Sequence, residues 1–285
     1  MPADLEAIPF ADGLAAQLAK PPADGLALYW LGQAGFVIDA GGYRLVIDPY
    51  LSDSLAEKYR GRLYPHRRMM AAPVTTGELV HVDLVLSTHQ HTDHMDPATL
   101  RPLLAARPRV DLVAPVAARE EALKRSGLEA KRLRLIDAGE RIEALPGVCV
   151  TATRAAHETL ERDAQGHYRF LGYVIEIGGA RIWHSGDTVP FDGMATEVAA
   201  LKPDIALLPV NGRSAELLAN GVPGNLALGE AIAIARDVGA KALIAHHFGM
   251  FSFNTADPAV IDRAVSVSDR PHLFRADLNT VYRWG

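Results

Sequence analysis

The sequence contains a single cysteine, Cys149, in 285 residues. An intramolecular disulfide and a cysteine-rich zinc module are both excluded, and a reducing compartment suits such a chain. Cys149 itself sits in the strand-like VCVTA, where it reads as a small buried hydrophobe. Long apolar runs are also missing, since none approaches the roughly 20 residues of a membrane-spanning helix. The start, MPADLEAIPFADG, carries acids and prolines where a secretory signal needs cations followed by an unbroken apolar stretch. The expectation is a cytoplasmic protein with no membrane partner. Positive charge is short: 29 Lys and Arg against 34 Asp and Glu leave a net charge of −5. No global basic field draws the chain to nucleic acid, so any phosphate must be recognised locally. Low-complexity tracts and long Gly/Ser linkers are absent after Tyr29, which favours one domain over residues 1–285, with residues 1–25 as a peripheral N-terminal segment.

What is present is 49% hydrophobic residues, enough for a sizeable buried core. LALYWLG, AGFVIDA and YRLVIDPY are short β-branched or aromatic runs separated by glycine turns, including Gly41-Gly42, and read as consecutive antiparallel strands. Further on, strand-like runs such as VDLVLSTH, VDLVAP, VCVTATRAAH, ARIWHSGDT, DIALLPVNG and KALIAHH alternate in part with helical stretches such as PATLRPLLAAR and LALGEAIAIARDVG. Hairpins mixed with crossovers point to an α/β fold in which two sheets are covered by helices, an αββα sandwich of four layers.

Several of these strands end in metal-binding side chains: His89 after DLVLST, His157 after TATRAA, Asp187 after IWHSG and His247 after ALIAH. Apolar strands hold the following loops rigidly while leaving them accessible, so these groups can converge. The densest stretch is STHQHTDHMDP, with His89, His91, Asp93 and His94 within six residues. Two histidines two apart in an extended turn point to one side, and Asp93 and His94 lie one step further round, which suits two adjacent ions better than one. The bland reading is a polar loop at a helix start, with Asp93 or Asp96 as the N-cap before Pro97. His246 and His247 are adjacent, so one faces the site and the other does not.

STHQHTDHMD resembles the HxHxDH signature of the metallo-β-lactamase fold hydrolases, and the likeness extends from WLGQAGFVI to HHFGMFSFNTADP. Within that superfamily the chain is similar to the branch containing ascorbate-6-phosphate lactonase and, less closely, to the N-acyl-phosphatidylethanolamine phospholipase D group. The resemblance implies that His89, His91 and His157 hold one ion, that Asp93, His94 and His247 hold the other, and that Asp187 bridges them. It favours His247 over His246 through the FGMF segment that follows, and tilts the metal toward Mn²⁺, with Zn²⁺ equally comfortable among imidazoles and carboxylates. Two such ions lower the pKa of a bridging water, and the hydroxide formed at neutral pH is the expected nucleophile, with Asp93 also accepting a proton.

The expected function is hydrolysis of a lactone or related ester of a small, phosphorylated metabolite. A phosphodiesterase is the alternative within enzymes, and a non-catalytic metal or ligand binder on the same fold is the alternative outside them. The basic stretch KYRGRLYPHRRMM reads as a lid or phosphate-recognition loop using His66, Arg67 or Arg68, with a solvated connection as the plain reading. Arg213 is a second anion-binding candidate, Asn211 lies at the same rim, and His184 is a substrate-side donor or a packed strand residue. The only expected partner is a small molecule; a homo-oligomer is compatible with the sequence.

Overall fold

Residues 4–285 are described by the computed structural model, in which the three runs before Pro49 form the expected meander. After β1 (Leu5–Pro9) and the short helix α1 (Leu14–Leu18), the strands β2 (Leu26–Gly32), β3 (Gly35–Ala40) and β4 (Tyr43–Ile47) pair antiparallel. Gly41 and Gly42, with φ of 56° and 75°, make the two-residue turn that joins β3 to β4. A residue with a Cβ would be strained at either place. The chain continues through α2 (Ser54–Lys58), β5 (Leu84–Leu86), α3 (Pro97–Ala105), β6 (Asp111–Pro115), α4 (Arg119–Ser126) and β7 (Leu133–Ile136). From β4 to β7 the strands are parallel.

A second sheet repeats the plan. β8 (Arg141–Leu145), β9 (Val148–Arg154), β10 (Leu171–Ile177) and β11 (Ala180–His184) run antiparallel. Then follow α5 (Met194–Ala200), β12 (Ile205–Pro209), α6 (Ala215–Ala219), α7 (Leu228–Asp237), β13 (Ala242–His246), α8 (Pro258–Val265) and β14 (His272–Arg275), with β11 to β14 parallel. The last strand, β15 (Thr280–Trp284), returns to the first sheet between β1 and β2.

Alternation along the strands builds two cores. Leu28, Trp30, Phe36 and Leu45 of the first sheet face Val150, Tyr173, Trp183 and Ile244 of the second. Their neighbours Tyr29, Val37, Val46 and Val85 point the other way, onto Leu14 and Leu18 of α1 and Leu100, Leu103 and Leu104 of α3. On the far side α7 packs on β12 and β13, and α8 on β14. Each fully buried Leu or Phe contributes roughly 1.5–3 kcal/mol, so the layers are held mainly by apolar burial.

Residues 5–18 pack into the fold, within the segment 1–25 that the sequence reading expected to be peripheral; residues 1–3 of that segment lie outside the described residues. β1 pairs with β15 from Leu5 opposite Trp284 to Pro9 opposite Thr280, and Leu14 and Leu18 are 3% and 0% exposed. An edge position tolerates the prolines and acids that suggested a loose segment. Arg44, 1% exposed, ties this segment down. Its Nε and Nη2 donate to Asp39 at 2.8 and 2.7 Å, while Nη1 and Nη2 reach the carbonyls of Leu18, Lys20 and Val80 at 2.6 to 3.0 Å. All five guanidinium N–H groups are thereby used. Cys149, expected to be buried, is half-buried in β9. Among the described residues no helix is long and apolar enough to cross a membrane.

Candidate metal centre

The carboxyl ends of the parallel strands meet at one rim, and the polar residues lie on the loops that leave it. β5 runs into Ser87–Asp96, Asp48 follows β4, Asp187 follows β11, His247 follows β13, and His157 lies three residues beyond β9. Three groups have ligand atoms within 4.8 Å of one another: His89, His91 and His157; His89, His94 and Asp187; Asp93, His94 and His247. Asp187 stands between them. Its Oδ1 is 3.2 Å from His94 Nε2 and 3.1 Å from His247 Nε2, and its Oδ2 is 3.8 Å from His157 Nε2.

The seven residues converge, and several of their polar atoms have no hydrogen-bond partner. His89 Nε2, His94 Nε2, His157 Nδ1, Asp187 Oδ1 and both ring nitrogens of His247 are buried with no hydrogen-bond partner. An unsatisfied buried polar atom costs about 1–3 kcal/mol, so such a concentration calls for a ligand. Imidazole and carboxylate donors without thiolate fit a divalent cation. Burial pushes His89 well below the ordinary histidine range and His157 down to about 4, leaving neutral rings whose lone pairs are free to coordinate. For His94 burial acts the same way, but the carboxylates of Asp187, Asp48 and Asp93 outweigh it and hold the ring well above the usual value. Burial raises Asp187, yet His247 and His94 overcome it and keep the carboxylate ionised.

The chain fixes each donor by local means. Asp48, fully buried with φ of 46°, accepts from His94 Nδ1 at 2.7 Å, from Thr88 N at 2.8 Å and from Thr88 Oγ1 at 2.6 Å. His94 must therefore present Nε2 to the centre. Gln33 donates from Nε2 to Asp93 Oδ2 at 2.8 Å, and its carbonyl accepts from Trp30 Nε1 and His247 N, both at 3.0 Å. WLGQAGF is thus a strut between two ligand loops. Gly186 has φ of 62°, and a Cβ there would collide with the carbonyl of Leu171, so only glycine aims Asp187 inward. Asp96 is the N-cap of α3, accepting from Ala98 N at 3.1 Å, and it also takes the Ser52 and Ser54 hydroxyls. Sequence reasoning passed over Asp48 and Gln33. Their only signal was a polar residue at the end of β4 and after β2, where neither resembles a ligand.

All seven proposed ligands are brought together; of the six substrate-side candidates only His66 joins them at the cleft. His246 lies outside the donor groups, fully buried and stacked on His184 at 5.1 Å. His184 is equally buried, with Nε2 on the Ala34 carbonyl at 2.8 Å and Nδ1 accepting from Gly186 N at 3.1 Å. It cannot touch substrate. Arg68 spends Nη1 on the Tyr50 and Ser52 carbonyls and Nε on Met70, and its guanidinium lies over the Tyr50 ring at 4.9 Å. Arg213 is locked bidentate on Glu230 at 2.6 and 2.7 Å, and Asn211 is held between Asn254 and Asn225. Arg67 is exposed and outside the cleft lining.

The cleft over the donors has a volume of about 140 Å³ and includes Leu55, Lys58, Tyr59, His66, Val222 and Phe251 in its walls. His66 is the one substrate-side candidate in this wall. Its Nδ1 meets the Tyr64 carbonyl at 2.7 Å, its ring stacks on Tyr59 at 4.2 Å, and burial lowers its pKa. The neutral ring offers Nε2 as an acceptor, the opposite of the anion-binding role expected from sequence.

A helix-covered double sheet with clustered His and Asp at the strand ends defines the metallo-β-lactamase fold. Residues 43–248 match the family described as a β-lactamase superfamily domain, and the chain belongs to that family. Among its relatives, a UPF0173 metal-dependent hydrolase of Methanoculleus marisnigri is 31% identical over 229 residues, covering 79% of this chain and 82% of that one. Another of the same name from Caldivirga maquilingensis is 31% identical over 65% of this chain and 70% of its own. The isothiocyanate hydrolase from Delia radicum gut bacteria superposes with a TM-score of 0.70 at 20% identity, covering 90% of this chain and 98% of that one. The Igni18 metallo hydrolase of Ignicoccus hospitalis does so with a TM-score of 0.67 at 19% identity, over 90% and 97%.

Asp48→Ala is expected to weaken metal binding by roughly 10–100-fold while leaving the ligands in place, because the His94 ring loses its orienting acceptor. Competition with a chromogenic chelator reads the affinity directly. An unchanged affinity would show that Thr88 and packing alone orient His94.

Proposed function

We propose that this chain is a metal-dependent hydrolase holding two divalent ions, which opens a lactone or related ester of a small anionic metabolite. The observation that carries it is the set of buried, partnerless histidine ring nitrogens gathered with Asp187 Oδ1 at one rim. His89, His91 and His157 would hold one ion and Asp93, His94 and His247 the other, with Asp187 between them. When bound, such a pair supplies a water of lowered pKa and polarises the oxygen of the scissile group. Either Mn²⁺ or Zn²⁺ suits the donors, and the lactone assignment rests on the likeness to the lactonase branch.

The side chains divide the remaining work. Asp93 is 17% exposed at its side chain, whereas Asp187 is 5% exposed, so Asp93 is the carboxylate open to the cleft. Gln33 occupies its Oδ2, which leaves Oδ1 to accept a proton from the attacking water and pass it to the leaving group. Leu55, Val222 and Phe251 exclude bulk water above it. His66 Nε2 accepts a hydrogen bond from a substrate hydroxyl or N–H.

Elemental analysis of purified protein, with activity measured on lactones, phosphodiesters, β-lactams and isothiocyanates, tests this reading. Two metal equivalents and lactone opening are expected. Preference for phosphodiesters would transfer the same centre to the phosphodiesterase reading, and metal without turnover on any substrate would favour a binding protein.

A further inference from the structure

The cleft does not end at Lys58. Lys58 and Thr92 also line a second depression of about 380 Å³, bounded by Ser54, Arg101, Glu121, Lys124 and Arg125, so the two hollows adjoin at these two residues. In a chain of net charge −5, four cations here share one carboxylate. That carboxylate, Glu121, is taken by Arg125 at 2.7 Å and Lys124 at 3.2 Å. Lys58 and Arg101 are exposed and make no ion pair among the described residues, and the Thr92 hydroxyl donates to no protein group.

The scaffold behind these heads is rigid. Arg101 Nη2 donates to the Lys124 carbonyl at 2.6 Å, and its Nε and Nη1 make no hydrogen bond among the described residues. Arg125 Nη1 donates to the Gln90 carbonyl at 2.6 Å, tying the groove wall to the loop that carries His89, His91, Asp93 and His94. A fixed fork loses little freedom when it takes an oxyanion, and guanidinium matches the geometry of phosphate and carboxylate oxygens.

We propose that this groove is the anion subsite of the cleft: Lys58, Arg101 and the Thr92 hydroxyl take a phosphate or carboxylate group that extends from the scissile bond over Thr92 toward α3. The proposal rests on the reading of the cleft as a hydrolytic centre. It replaces Arg67, Arg68 and Arg213 as the source of anion specificity, because Arg68 is half-buried and held by the Tyr50, Ser52 and Met70 carbonyls, Arg213 is paired with Glu230, and Arg67 lies outside the groove.

Inorganic phosphate is the probe, titrated into isotope-labelled, zinc-loaded protein and followed by amide chemical shifts, with chloride at equal ionic strength as the control. Saturable shifts at Lys58, Thr92 and Arg101 are expected. Lys58→Ala and Arg101→Ala should each weaken them by roughly tenfold without altering metal content. In the Asp187→Ala protein the groove shifts should persist, which separates failure of the metal centre from failure of the subsite. Shifts confined to residues around the donor groups, shifts reproduced by chloride, or unchanged affinity in both alanine variants would each overturn the proposal.

Discussion

Asp187→Ala is expected to empty both proposed ion sites and to reduce kcat/KM by at least about 10³, since a bound metal pair would contribute several kcal/mol of charge stabilisation in the transition state. The geometry explains why one residue has so wide an effect. Its two oxygens approach His94, His247 and His157, members of every donor group, at 3.1 to 3.8 Å. Among the described residues no other carboxylate approaches all three of these histidines. Asp93 is 3.8 Å from His94 and 3.9 Å from His247 and forms no such contact with His157. Metal content by elemental analysis and far-UV circular dichroism should be measured together. A folded, fully active Asp187→Ala protein with unchanged metal would sink the mechanism.

The largest effect on stability is expected at Arg44, far from the cleft. Arg44→Met removes five donors at once and leaves the Asp39 carboxylate, 4% exposed, without its counter-charge. Breaking a buried pair in this way costs about 3–5 kcal/mol. For a chain of this size that corresponds to a fall in Tm of roughly 5–8 °C. The double variant Arg44→Met with Asp39→Leu should recover much of the loss, because the penalty lies in the stranded charge rather than in the missing bond. If the double variant is as unstable as the single one, the three carbonyls left by Leu18, Lys20 and Val80 carry the cost instead.

The metal centre was legible because its residues announce themselves by type and place. Three histidines and an aspartate within His89–His94, together with ligands at strand ends, need no knowledge of distant contacts. The sandwich was legible for a related reason, as β2 to β4 and the parallel strands are strongly apolar. Weaker strands escaped notice: RIEAL of β8 alternates exposed and half-buried positions, and β14 and β15 become strands only through their neighbours. The anion candidates failed through partners that sequence does not reveal. Arg68 meets a carbonyl 18 residues away, and Arg213 meets a glutamate 17 residues on. Conversely Arg101, unremarkable within a helix, gains its meaning from Lys58 across the groove.

Every ion site at this rim would be built from both sheets. His89 and His91 come from the first and His157 from the second; Asp93 and His94 come from the first, His247 from the second, and Asp187 from the second as well. A bound cation is then a cross-brace between two layers that are otherwise joined mainly by apolar contact, by a few hydrogen bonds such as Tyr173 Oη to the Ser87 carbonyl at 2.8 Å, and by two chain crossings. Ligand at about a thousand times its Kd adds about 4 kcal/mol to such a fold. Metal supply would set the lifetime of the chain against proteases as well as the reactivity of its cleft, because digestion of a briefly opened protein follows the population of the open form.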